Sequence, residues 1–246
     1  MKKRRKILMS KVFITGDTHR KTDIEKIYVH QFPQQKEMTK DDIFIIAGDA
    51  GIIWNGFSAK NNICDGDRRI INIYENRPFT TAFVDGNHEN HPAIARYPIE
   101  MWHGGRVHRI SKSIVHMMRG ECYTINNKKF FVMGGAKSTD KTYRMQYEMV
   151  YGEKVWWSEE MPSKEEYDRA RQTIKENNNE FDYIITHCCS SSTQKKINPE
   201  FETDELTDFF DTIENIKFKK WFFGHYHEDI DIDDKHICMY RKIIEI

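Results

Sequence analysis

The sequence predicts an α/β fold, a four-layer αββα sandwich of two mixed β-sheets flanked by helices. Two observations predict it. Short apolar runs alternate with helical patterns in both halves of the chain, as the strand-helix-strand units of a parallel sheet require. Between about residues 107 and 135 this alternation gives way to short runs separated by turn residues, which read as hairpins. Two sheets packed face to face with helices outside accommodate both patterns. No Pro-rich, Gly/Ser-rich or repetitive stretch divides the 246 residues, so 1–246 reads as one domain.

Taken in order, residues 12–15 form the first strand. Thr22 and Glu25 then have capping-box spacing, with Ile24, Ile27 and Tyr28 on one face, which predicts a helix. Residues 43–47 are a continuous β-branched and apolar run, the pattern of a strand covered on both faces. Asp67 is expected to cap a helix carrying Ile70, Ile71, Ile73 and Tyr74, which Pro78 ends. A strand from Phe83 follows and breaks at Gly86. Residues 113–118, 121–125 and 129–133 supply the hairpins. Ser163 and Glu166 make a second capping box before a helix that runs toward Asn177, and residues 181–186 return as a strand. Leu206, Phe209, Phe210 and Ile213 mark an amphipathic helix before the strand at 221–223. A hairpin around Asp233 and Asp234 closes the chain.

Composition narrows the function classes. Lys plus Arg and Asp plus Glu are both 38, so no net field draws the protein to nucleic acid or an acidic membrane, and a small charged substrate fits better. No run approaches membrane-spanning length. The strongly basic start lacks a cleavage pattern, and residues 1–10 read as a disordered basic extension rather than a signal peptide. Five cysteines without C-x-x-C spacing argue for reduced thiols in a cytoplasmic setting. Cys188 and Cys189 read as small buried hydrophobes.

The chemistry sits at the strand ends. Five apolar runs finish in reactive side chains: Gly16-Asp17-Thr18-His19, Gly48-Asp49, Gly86-Asn87-His88-Glu89, Thr186-His187 and Gly224-His225-Tyr226-His227. Asp17 and His19 sit two residues apart, as do His225 and His227, so each pair can point to one side. Asp49 can bridge two cations through its two oxygens, and Asn87 offers a neutral amide oxygen. Donors of this kind, without thiolate, favour Mn²⁺, Fe or Zn²⁺ over Ca²⁺ or a sulfur-bound metal. His88 can hand a proton to a departing oxygen.

In order and composition these motifs resemble the calcineurin-like metallophosphoesterase superfamily, over nearly the whole chain, and most of all its small single-domain bacterial and phage members. Trp102-His103-Gly104-Gly105, Gly134-Gly135-Ala136 and Trp221-Phe222-Phe223 add to the likeness. The resemblance implies two divalent ions, Mn²⁺ first, with Fe, Zn²⁺ or Ni²⁺ as alternatives. It implies that Asp17, His19, Asp49 and His227 hold one ion and that Asp49, Asn87, His187 and His225 hold the other. A hydroxide bridging the pair would attack a phosphomonoester or phosphodiester in line, since metal binding lowers the pKa of water from about 15.7 to about 7. His88 would protonate the leaving alkoxide, which makes His88 and Asp49 the catalytic pair.

The chain departs from the protein serine/threonine phosphatase branch. Ile52 and Ile53 stand where that branch has a histidine-orienting Asp and a phosphate-binding Arg. Arg20 stands where many members have Gly, and is a candidate substrate contact. Residues 139–157, rich in Tyr and Trp and carrying Lys141 and Arg144, read as neither strand nor helix. They are expected to cap the site, with Arg144 on a phosphate. Two other functions fit the same residues less fully: a non-catalytic metal-binding scaffold for a partner protein, and a nuclease.

Overall fold

A computed structural model describes residues 9–246. Of the basic extension expected at 1–10, residues 1–8 lie outside the described residues. Ser10 does not belong to it: the Asn126 side chain pairs with the Ser10 backbone, accepting at 3.2 Å and donating at 2.6 Å.

The first half builds one sheet. Strand β1 (Val12–Thr15) is followed by β2 (Ile43–Ile46), helix α1 (Asp65–Glu75), β3 (Thr80–Phe83), the single turn α2 (His91–Ile94), and then β4 (Ile99–Trp102), β5 (Gly105–Ser111) and β6 (Ile114–Met117). The second half adds β7 (Glu121–Ile125), β8 (Lys128–Met133), α3 (Lys141–Tyr151), α4 (Lys164–Glu176), β9 (Tyr183–Thr186), α5 (Ser191–Ile197) and α6 (Glu205–Asp211). It ends with β10 (Lys220–Phe223), β11 (Ile230–Asp231), β12 (His236–Cys238) and β13 (Ile243–Glu245). The seven-stranded sheet has the order β13-β1-β2-β3-β6-β5-β4 and the six-stranded sheet the order β11-β12-β10-β9-β8-β7. Both sheets are mixed, as expected.

Side-chain alternation along the strands separates three apolar layers. Val12, Ile14, Ile43, Ile45 and Ala82 meet Tyr123, Phe130, Val132, Ile185 and Phe222 between the two sheets. The opposite faces, with Phe13, Phe44, Ile46 and Phe83, pack beneath Ile24, Ile70 and Tyr74. On the far side Phe131, Ile184, Trp221 and Phe223 pack beneath Tyr167, Ile174, Leu206 and Phe210. Each buried Val, Leu, Ile or Phe among these contributes about 1.5–3 kcal/mol. Strands covered on both faces have no polar side for water, which is why 43–47 reads as unbroken apolar sequence.

Several expectations need correction. Thr22 and Glu25 do not cap an α-helix; Ile24–Ile27 is one 3₁₀ turn with no side-chain cap. The carboxylate of Asp23, next to Thr22, is occupied by His19 and by the Tyr240 hydroxyl instead. Asp67 is not a cap either. Helix α1 starts at Asp65, and the buried Asp67 carboxylate accepts from the backbone of Trp54, Asn55 and Gly56. Strand β3 begins at Thr80 rather than Phe83, because its register is set by β2, with Ile43 opposite Thr80. The segment 139–157 does contain a helix, α3, which only Arg144 anchors by burial. Tyr143, Met149, Val150 and Tyr151 on the same helix are exposed, so it carries no inward apolar stripe for a sequence reading to find. Finally, the terminal hairpin does not close the chain, since β13 returns to pair antiparallel with β1.

Candidate metal centre

Strands β1, β2 and β3 run parallel, as do β8, β9 and β10, so the carboxyl ends of each set share one edge. Ligands of open α/β sheets gather at such edges. The loops that leave β1, β2, β3, β9 and β10 carry all five motifs to the same place. Backbone bonds tie the first two together, with the Thr18 and His19 amides both donating to the Asp49 carbonyl at 3.1 and 2.8 Å. The buried carboxyl of Glu89 accepts from the Ala50 amide at 2.8 Å and the Gly51 amide at 3.1 Å, fixing the chain just after Asp49.

Asp49 lies at the middle. Its Oδ2 is 3.4 Å from His19 Nε2 and 3.3 Å from His187 Nε2, while Oδ1 accepts from the His88 amide at 2.7 Å. On one side, Asp17 Oδ2 stands 3.5 Å from His227 Nε2, and Asp17, His19 and His227 form one group of converging donors. On the other, Asn87 Oδ1 is 3.1 Å from His225 Nδ1 and 3.3 Å from His187 Nε2. The Asn87 amide nitrogen points away, toward Ser138 Oγ at 3.4 Å, which turns the oxygen inward. Asp17, Asp49 and His187 form a further group, and so do His19, Asp49 and His88. Geometry therefore admits His88 as a donor as well as an acid.

Three features fit cations here. Asp17 Oδ2 is buried without a hydrogen-bond partner, which is costly unless something else meets it. The backbone is left-handed at His19, Asp49, His225 and His227, with φ between 41° and 69°. Such strain costs about 1–3 kcal/mol per residue and gathers where side chains must be aimed. Imidazole tautomers are also set: the Asp23 carboxylate lies 2.7 Å from His19 Nδ1, and the Ala47 carbonyl 2.9 Å from His187 Nδ1. Each takes the N–H at Nδ1, so that Nε2 is the nitrogen turned toward Asp49. The motif glycines make room for all this. A Cβ on Gly86 would overlap the Asp49 carboxylate, and one on Gly48, at φ +91°, would overlap the His187 ring.

Electrostatics follows from burial. Burial raises the Asp17 carboxyl, with the neighbouring Asp49 charge adding to it. Burial would raise Asp49 too, but His187 holds it well below the usual range; burial opposes a proton on His187, yet Asp49 and then Asp17 outweigh it and push His187 up to about 10. A proton on His187 is then the positive charge facing two buried carboxylates. Burial, reinforced by the Arg144 guanidinium, pushes His88 down to about 4.

The structure brings Asp17, His19, Asp49, Asn87, His88, His187, His225 and His227 together and places Arg144 beside them. Its Nη1 donates to the Asn87 carbonyl at 3.0 Å. Arg20 is near but committed elsewhere, donating to Asp67 at 2.7 Å, Asn55 at 3.0 Å and the Gly51 carbonyl at 3.3 Å. Ile52 and Ile53 are fully buried in the apolar layer under α1. Sequence reading missed Asp23, the partner of His19; its i,i+4 spacing from that histidine was the available signal. It also missed Asp85, whose carboxylate is held between Arg119, at 2.8 Å, and His116, at 3.0 Å, just ahead of Asn87.

No helix among the described residues is long and apolar enough to cross a membrane. A search of curated protein sequences finds no match. The family model for calcineurin-like phosphoesterase, however, matches residues 10–229, the span that carries every one of these donors, and the chain belongs to that family.

Proposed function

We propose that the protein hydrolyses a phosphomonoester or phosphodiester of a small molecule with two divalent cations, Mn²⁺ foremost. The observation that supports this reading best is the arrangement of donors on both sides of Asp49. Asp17, His19, Asp49 and His227 would hold one ion, and Asp49, Asn87, His187 and His225 the other. Bound there, the ions would polarise a phosphoryl oxygen and make water acidic enough to ionise near neutral pH. Asp49 fixes the spacing of the two sites, and Asp23 keeps His19 in the tautomer that faces inward. Water attacks phosphorus as the bond to the ester oxygen breaks, and the departing oxygen takes a proton from His88. A phosphate that draws Arg144 onto its own oxygens leaves the His88 ring free to hold that proton.

The test uses chelated, metal-free protein reloaded with Mn²⁺, Zn²⁺, Ni²⁺ or Mg²⁺ and assayed on nitrophenyl phosphate and bis(nitrophenyl) phosphate. Hydrolysis should be absent without metal and return with Mn²⁺ or a similar ion. Full activity with less than one ion per chain would sink the reading.

A further inference from the structure

Five rings stand in a row along one side of the site. Trp54 stacks on His88 with centroids 6.3 Å apart at 21°. His88 meets His19 edge-on at 5.4 Å, and His19 meets His227 edge-on at 4.8 Å. Tyr240 stacks on His227 at 5.0 Å and 23°. The three imidazoles floor a cleft of about 520 Å³ that Trp54 and Tyr240 also line. Both outer rings are braced from behind. Trp157 packs edge-on against Trp54 at 5.3 Å, while the Trp54 amide is tied to Asp67 at 3.2 Å and its carbonyl to Asn90 at 2.8 Å. The Tyr240 hydroxyl bonds to Asp23 at 3.1 Å, and the Lys26 ammonium lies 4.6 Å from the centre of its ring. Rigid, preorganised rings lose little freedom when a flat group is laid on them.

His88 tells which part of the substrate enters this cleft. A proton donor must reach the departing oxygen, so the alcohol half of the ester lies on the His88 side, against Trp54. Resting on the phosphoesterase reading above, we infer that this cleft is the leaving-group site and that the group it selects is a planar aromatic ring carried on the alcohol. Flat faces of that kind gain from offset or edge contact with aromatic walls, whereas a puckered ring of equal size fills the same space without it.

The test compares benzyl with cyclohexylmethyl esters, each as the phosphomonoester and as the methyl phosphodiester, on Mn²⁺-loaded protein. The two alcohols have similar size and similar acidity, so the ratio of kcat/KM reports shape and ring character. A ratio of about 2- to 12-fold favouring benzyl is expected in the wild type. It should collapse toward one in Trp54→Ala and largely survive in Trp54→Phe. Damage to folding would lower both substrates together and leave the ratio standing, so the ratio separates the two effects. Equal turnover of benzyl and cyclohexylmethyl esters by the wild type would overturn the inference while leaving the phosphoesterase reading intact. An unchanged ratio in Trp54→Ala would overturn it too. No turnover of any of the four esters would overturn it together with that reading.

Discussion

The Arg144 guanidinium lies across the ring of His88, with Nη2 2.6 Å from Nε2 and 3.2 Å from Nδ1. Arginine is always a donor, so this contact holds the imidazole neutral and in place. It also answers how His88 is oriented in a chain that has Ile52 where another branch of the superfamily has a carboxylate. Arg144 is itself fixed from below by Asp140 at 2.8 Å.

Removing Arg144 should cost turnover through the lost contact to the substrate phosphate, without emptying the proposed metal sites. Arg144→Ala is expected to lower kcat/KM by about 10- to 100-fold, a loss of transition-state stabilisation of about 1.4–2.7 kcal/mol. Arg144→Lys should recover little, because an ammonium lacks the planar fork. Steady-state kinetics beside metal analysis checks both, and a parallel loss of bound metal would count against the assignment.

Ligand and acid can be separated. Asp49→Asn should lose both ions or their spacing, whereas His88→Ala should retain two ions and lose about 10²- to 10⁴-fold in turnover, less with nitrophenolate as leaving group. Loss of an ion from His88→Ala would mean that the grouping of His88 with His19 and Asp49 is a ligand set.

Metal should also stabilise the fold. Each ion at 100 times its Kd adds about 2.7 kcal/mol, so two ions add about 5.4 kcal/mol, which for a chain of this length raises Tm by roughly 11–22 °C. Calorimetry of chelated and Mn²⁺-loaded protein measures it, and Asp17→Asn should shrink the increment.

Asp23 acts through His19. Asp23→Ala leaves Nδ1 without its acceptor and should weaken the ion proposed to bind Asp17, His19, Asp49 and His227 by about 10- to 100-fold. Competition with a calibrated chelator reads this directly. Unchanged affinity for both ions would remove the positioning role.

Stability should fall in acid for a reason outside the metal centre. His108 and His116 face each other through their Nδ1 atoms at 3.0 Å, and burial, with His116 adding to it, pushes His108 down to about 4. The unfolded imidazole titrates near 6.5, so between pH 6.5 and 4 the unfolded chain binds the extra proton. The stabilisation is therefore complete above 6.5 and is lost as pH falls toward 4. His108→Asn keeps a donor toward His116 and should flatten the slope of unfolding free energy by up to about 1.4 kcal/mol per pH unit there. Denaturant titrations at stepped pH would show an unaltered slope if His108 did not contribute.

Sequence alone determined the central strands β1, β2, β9 and β10 and the reactive residues at their ends, because both are local. Residues 12–15 and 43–47 carry only side chains that a doubly covered strand tolerates, and the residue after each run must turn, so Gly, Asp and His show as a break in an apolar pattern. The Ser163 capping box was legible for the same reason: its two bonds span three residues. Tertiary structure decided what depends on distant partners. Whether Thr22 starts a helix turned on Asp23 being claimed by His19 and Tyr240. Where Asp67 points turned on the Trp54 loop, and the fate of Arg20 turned on Asp67. Helix α3 was hidden because its one buried side chain is a charged arginine reaching residues 87 and 88. A sequence displays what each residue prefers by itself; which neighbour satisfies a carboxylate or a guanidinium is set by the crossing of chains far apart in sequence, and only the folded molecule records it.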